Sequence, residues 1–253
     1  MVDLNGKVAL VTGATGGLGA ATAKKLASLG AKIAINYSGG KSREAAMGVL
    51  KEVMDAEGSG MCVMADVSNS GQVKEMFDEV EAGLGGVFVL VNNAGIYVNK
   101  PGRLLHEVPE DEMSRVIDIN LKGTFICAAE AARRMVGAKT GGRIVNISSV
   151  AGVKGSVAGA HYSASKAGVI GLTYTMADQL GQFGILTNSV APGPVRTKLL
   201  EKLTEEDFER QKEKSPIGRI ATADEIADAI AFFAQTDIVN GQVLVVDGGN
   251  VKH

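Results

Sequence analysis

The chain has no tryptophan, two cysteines, three histidines and five prolines, and each scarcity closes a possibility. Cys62 and Cys127 stand in apolar stretches and are too few for a disulfide-built scaffold. His106, His161 and His253 share no metal-ligand spacing with them, so no metal centre is expected. Apolar runs such as VFVLV at 87–91 fall far short of the ~18 residues of a membrane-crossing helix. The opening residues lack the basic stretch and apolar core of a secretory signal. An excess of one charge is also missing. The formal net charge is −2, which gives no bias toward nucleic acid or a membrane surface. These absences predict a soluble, reduced, cytoplasmic protein.

What is abundant is glycine, 33 residues, together with 45% hydrophobic residues, enough for a large core with many tight turns. Short Val/Ile-rich runs recur at 7–12, 32–36, 61–65, 87–92, 143–148, 185–191 and 242–246. Runs of this kind suit strands buried on both faces, as in a parallel sheet. Between them lie stretches of helical length at 17–29, 41–57, 69–83, 109–136, 159–183 and 222–234. Asn69 and Thr222 are candidate N-caps, and Glu225 follows Thr222 at capping-box spacing. Strictly alternating strands and helices predict an α/β, doubly wound Rossmann-type fold with a central seven-stranded parallel sheet. No linker or repeat interrupts residues 1–253, so one domain is expected. Residues 193–215 are long, charged and flanked by proline, which predicts a mobile helical insertion over a ligand site.

VALVTGATGGLG places Gly13, Gly17 and Gly19 between the first strand and the first helix. Glycines there let backbone N–H groups approach a pyrophosphate at a helix N-terminus. Tyr162 and Lys166 are four residues apart, on one face of a helix. A nearby ammonium is expected to lower the pKa of a tyrosine, ordinarily ~10, and so fit it for proton transfer.

TGATGGLG, VNNAGI (91–96), NISSVAG (146–152) and YSASK (162–166) together resemble the short-chain dehydrogenase/reductase family, in its short single-domain branch. The resemblance runs on through APGPVRT and GQVLVVDGG, and is similar to 3-oxoacyl-carrier-protein-type carbonyl reductases. It implies catalytic roles for Asn120, Ser149, Tyr162 and Lys166, with Ser149 rather than the adjacent Ser148 donating to a substrate carbonyl. It implies a cofactor held by Gly13, Thr15, Gly16, Gly17, Leu18 and Gly19 of the first turn. Asp66 and Val67, then Asn92, Asn93, Ala94 and Gly95, follow from it too, as do Pro192, Gly193, Val195 and Thr197. Two departures from the family pattern stand out: Phe88 replaces an acid, and 234–246 is short.

The stretch INYSGGKSR carries no acid, and Tyr37 stands where NAD-preferring members place Asp. With Ser38, Lys41 and Arg43 beside it, NADP is the expected cofactor and NAD the less favoured one. The implied activity is reversible reduction of a ketone or aldehyde to an alcohol. An NAD-preferring alcohol dehydrogenase and a noncatalytic nucleotide sensor on the same fold are the alternatives. Tyr97, Val150, Val153, His161, Pro194, Val195, Leu199 and Leu200 are candidate pocket residues, and their apolar bias predicts a hydrophobic carbonyl substrate. Arg133, Arg134 and Lys139 leave open a route to a carrier protein. A homotetramer is expected from the family resemblance and from the small residues of 109–136 and 159–183.

Overall fold

The computed structural model describes residues 1–98, 103–156, 159–197 and 204–252. Seven β-branched-rich segments form the strands: β1 Val8–Val11, β2 Lys32–Tyr37, β3 Ser59–Met64, β4 Val87–Asn92, β5 Gly142–Ile147, β6 Ile185–Pro192 and β7 Val243–Val246. They pair in parallel in the order β3-β2-β1-β4-β5-β6-β7. The order reverses between β1 and β4, so the loops leaving these two strands diverge and open a crevice at their carboxyl ends.

The helices cover both faces. Helices α1 (Gly17–Ser28) and α2 (Arg43–Asp55) share one apolar core with α9 (Ala223–Gln235), around Leu26, Ile33, Ile35, Val145 and Phe233. On the other face α3 (Ser70–Gly83), α5 (Gly123–Ala138) and α7 (Ala160–Leu180) enclose Phe77, Leu90, Met135, Ile144 and Met176. The Asn69 carboxamide accepts from Gly71 and Gln72 to cap α3. Thr222 and Glu225 form a reciprocal box at the start of α9.

The structure departs from the expected elements in two places. The predicted helix over 109–136 is broken: α4 (Glu110–Ile117) passes through one turn of π-helix, Asp118–Lys122, before α5. A short helix, α6 (Val150–Lys154), follows β5 where none was predicted. The charged insertion contains α8 (Glu205–Lys214), capped by Thr204, while residues 198–203 lie outside the described ones. Among the described residues no helix is long and apolar enough to cross a membrane, and no group of three or more His, Cys, Asp or Glu residues forms a metal centre.

Candidate active site

A cleft of about 1110 Å³ lies at the carboxyl ends of the strands. One wall is the glycine turn. Gly13 and Gly17 take left-handed backbone angles, φ 62° and 54°, that favour glycine. A Cβ on Gly19 would sit 2.6 Å from Asn93 Nδ2 and 2.8 Å from Ala14 Cα, so the turn and the loop after β4 touch directly. Asn93 in turn donates to the carbonyls of Thr12 (2.8 Å) and Gly13 (3.2 Å). The Thr12 hydroxyl accepts from the N–H groups of Asn93 and Ala94. Asn36 Oδ1 accepts from Gly13 N–H, tying the turn to β2. No side chain caps the start of α1 and no acid stands in its first turn. Its free N–H groups and positive dipole end therefore face the cleft at Gly16, Gly17 and Leu18. This wall fits the pyrophosphate of a dinucleotide.

Thr15, Gly19, Ser38, Asp66, Val67, Asn93, Ala94, Gly95, Pro192, Gly193, Val195 and Thr197 also line the cleft. Asp66 is half-buried, with Oδ1 accepting from the Ser68 N–H (2.9 Å) and hydroxyl (2.7 Å). Asn92 is buried instead of lining the cleft, and it donates to Asn146 Oδ1 inside the sheet.

Tyr37, Lys41 and Arg43 are not brought to the cleft wall. Strand alternation turns Tyr37 into the core shared with α1 and α2, at 9% exposure. Lys41 and Arg43 are exposed on the turn into α2 and on its first residue. The cleft-facing positions at the end of β2 are Asn36 and Ser38, neither of them acidic.

At the other end of the cleft stand Ser149, Tyr162 and Lys166. Ser149 is the N-cap of α6, where its Oγ accepts from Ala151 N–H at 3.1 Å. Its hydroxyl also stands within hydrogen-bonding reach of the Tyr162 phenol. The neighbouring Ser148 is directed away, donating to the Lys166 carbonyl at 2.8 Å. α6 packs tightly on α7, since a Cβ on Gly152 would lie 2.6 Å from the Lys166 backbone. Tyr97 meets Tyr162 edge-on with ring centroids 4.8 Å apart.

The electrostatics correct one expectation. Burial pushes Tyr162 up to about 12, only partly opposed by the Ser149 hydrogen bond. Lys166, whose Nζ lies 5.8 Å from the Tyr162 ring centroid, is itself lowered to about 8 by burial and donates to the Ile147 carbonyl at 2.7 Å. Removal from water outweighs ammonium–phenolate attraction here, so the tyrosine is held as a protonated acid.

Asn120 lies in the π-turn, fully buried behind the cleft. Its Oδ1 accepts from Ile96 N–H, and its Nδ2 donates to Ile96 O and Ser165 Oγ. A Cβ on Gly95 would meet both Asn120 Oδ1 (3.2 Å) and Lys166 Nζ (3.6 Å), which puts the asparagine beside the lysine.

Of the expected pocket residues, Tyr97, Val150, Pro194 and Val195 line the cleft, whereas Leu199 and Leu200 lie outside the described residues. Val153 and His161 do not line it. His161 is 1% exposed, 3.4 Å from Glu112. Sequence reasoning missed Lys154, Ser156, Asp207, Arg210, Gln211, Lys214 and Asn250, all cleft-lining. For the four on α8 the signal was their spacing at i, i+3, i+4 and i+7.

The short chain dehydrogenase family model matches residues 7–207. A 3-oxoacyl-[acyl-carrier-protein] reductase from Synechocystis sp. is 40% identical over 99% of both chains. One from Staphylococcus aureus is 39% identical over 96% of this chain and 97% of the relative. Among solved structures, a gluconate 5-dehydrogenase from Burkholderia cenocepacia in complex with NADP and tartrate superposes with a TM-score of 0.90. It is 35% identical, covering 98% of this chain and 96% of that one. A short-chain type dehydrogenase/reductase from Mycobacterium marinum gives a TM-score of 0.92 at 34% identity, covering 99% and 98%.

Proposed function

The chain belongs to the short-chain dehydrogenase family of oxidoreductases, and from that premise we propose that it is an NADPH-dependent reductase of ketones or aldehydes, acting reversibly with Tyr162 as general acid and base. The observation that carries this reading is the hydrogen-bonded Ser149–Tyr162 pair beside Lys166 in the cleft. The nicotinamide supplies or accepts the hydride when bound. Ser149 and Tyr162 present two hydroxyl protons to one carbonyl oxygen, stabilising the charge that develops there. Tyr162, raised to about 12, enters the reduction protonated and gives up its proton to the alkoxide. Lys166, lowered to about 8, gains and loses a proton near neutral pH and can return one toward Tyr162.

NADP over NAD is favoured by the absence of an acid at Asn36 and Ser38, the cleft-facing positions after β2. Lys41 and Arg43 add positive charge nearby in sequence. Because Tyr37 is buried, the informative exchange is Ser38→Asp, which would repel a 2′-phosphate from within the cleft. The curated relatives act, by their names, on 3-oxoacyl groups borne by a carrier protein. Of the cations considered for a carrier, the two arginines are engaged, Arg134 donating to Glu130, Glu81 and Asp78 and Arg133 pairing with Glu130, while Lys139 is exposed. That arrangement favours a free small-molecule carbonyl compound. Tyr97, Val150, Pro194 and Val195 supply an apolar contact for its carbon skeleton. We take the whole chain as one catalytic domain that works in the cytoplasm as a homotetramer.

The test follows loss of NADPH or NADH absorbance over a panel of ketones and aldehydes. Turnover with NADPH preferred, and a loss of at least ~100-fold in Tyr162→Phe with cofactor affinity retained, is expected. Equal or better kcat/KM with NADH would refute the cofactor assignment. More than a tenth of wild-type activity in Tyr162→Phe would refute the role of the tyrosine.

A further inference from the structure

Helix α8 has two working faces. Phe208 is buried on one, at 5% exposure. Asp207, Arg210, Gln211 and Lys214, spaced along a single stripe, line the cleft with the other. The same cleft is lined by Lys154, which ends α6, the short helix that begins at Ser149 and packs on Lys166 through Gly152. Lys154 is thereby placed at the catalytic end of the cleft, whereas the pyrophosphate wall is the start of α1. Lys154, Arg210 and Lys214 share this lining with Asp207, whose charge acts on Arg210. Asp207 Oδ2 accepts from the Thr204 N–H (3.0 Å) and hydroxyl (2.9 Å) as part of the helix cap. Lys154 and Lys214 form no ion pair among the described residues. Arg210 pairs with Glu206, but at 59% and 79% exposure this bond is readily exchanged. A chain with net charge −2 thus brings more cations than acids from α6 and α8 to the lining of its cleft, where the walls focus the field.

We propose that the substrate carries an anionic group, a carboxylate or a phosphate, remote from the reacting carbonyl and held by Arg210, Lys214 and Lys154. The inference rests on the carbonyl-reductase reading and specifies its substrate class. Two cationic side chains forking onto one oxyanion supply charge-assisted hydrogen bonds that a neutral ester or amide cannot return. Tyr97 and Val150 still accommodate the carbon chain between the two ends.

The experiment uses the full chain with NADPH and three substrate arms on a common oxo-acyl skeleton: the free acid, its methyl ester, and a phosphorylated ketone. The acid or the phosphorylated ketone is expected to exceed the ester in kcat/KM by about 10-fold or more, which identifies the anion. Arg210→Gln combined with Lys214→Gln should raise KM for that anionic substrate by about 10-fold with kcat little changed. Lys154→Gln should move KM in the same direction. Added salt should raise KM for the anionic substrate and leave the ester's unaltered. NADPH affinity, read by fluorescence, should hold in every variant. An ester used as well as the acid and the phosphorylated ketone, or an equal loss on charged and neutral substrates, would overturn the inference while leaving the reductase reading intact. Weakened NADPH binding in the variants would reassign the cations to the cofactor and overturn it too. Failure to reduce any carbonyl compound, charged or neutral, would defeat both readings.

Discussion

Lys166 is 5% exposed, and burial lowers it from 10.5 to about 8. Between those two values the unfolded chain binds a proton that the folded chain has released, so stability rises with pH across that window and the full penalty is present below about 8. The shift corresponds to about 3 kcal/mol. Replacing Lys166 by Met should accordingly stabilise the cofactor-free protein at neutral pH by a few kcal/mol, an advantage that shrinks toward pH 10.5. Tyr162 acts with the opposite sign. Raised from 10 to about 12, it keeps a proton that the unfolded chain has lost, so stability declines as pH rises through that interval. Thermal unfolding of wild type against pH should therefore rise and then fall, and Tyr162→Phe should remove the falling limb contributed by this residue. A Lys166→Met protein less stable than wild type at neutral pH would contradict the assignment. Burial favours the neutral form of both side chains, a state that suits proton transfer between them.

The turn between β1 and α1 shows how elements meet without spare room. Ala is the better helix former, yet Gly19→Ala would drive a Cβ to 2.6 Å from Asn93 Nδ2 and 2.8 Å from the Gly13 carbonyl. The cost expected is about 1–3 kcal/mol of overpacking. NADPH titration should show weakened binding in a protein whose circular dichroism is unchanged. Affinity equal to wild type would mean that the clamp is slack. All seven strands were legible from sequence, because buried parallel strands read as unbroken Val/Ile runs. The π-turn was not, since a single extra residue in a helix leaves the apolar pattern of 109–136 nearly unchanged. Asn120, identified as a site residue from the motif, owes its buried position to that turn. Tyr37 was misplaced because chain position alone does not say which face of β2 a side chain takes. The α8 stripe went unread for a related reason: its spacing was visible, but spacing alone does not say which surface a helix turns to the cleft. Motifs on strand ends were legible where recognition comes from backbone and small residues; selectivity carried by a packed helix was not.

At the scale of the whole molecule, two sets of exposed apolar side chains lie on the helices and the edge strand that could meet another copy. Phe125 of α5, Tyr174 of α7 and Met113 of α4 form one set, at 55%, 49% and 38% exposure. Phe232 of α9 and Leu244 of the edge strand β7 form the other, at 42% and 39%. Two separate surfaces suit the two kinds of interface in a tetramer of dihedral symmetry. Sedimentation should give a particle four times the 26.1 kDa chain, and charge placed at Phe232 and Leu244 should halve it. A 26.1 kDa species alone at micromolar concentration would reject the assembly.

Every side chain assigned to chemistry sits at one end of the parallel sheet, and the turns at the other end are left with geometry alone to satisfy. The turn from α3 into β4 passes through Gly85 and Gly86, and a Cβ on Gly86 would meet nothing within 4 Å. This end of the molecule is consequently open to engineering. A flexible peptide inserted between Gly85 and Gly86 should leave turnover close to wild type, because the added chain has solvent to occupy and no catalytic group to displace. The same peptide placed after Thr197, which lies against Gly17, should abolish it. For a sheet whose strands all point one way, the end opposite the cleft is where new sequence, a fluorophore or a second domain can be grafted.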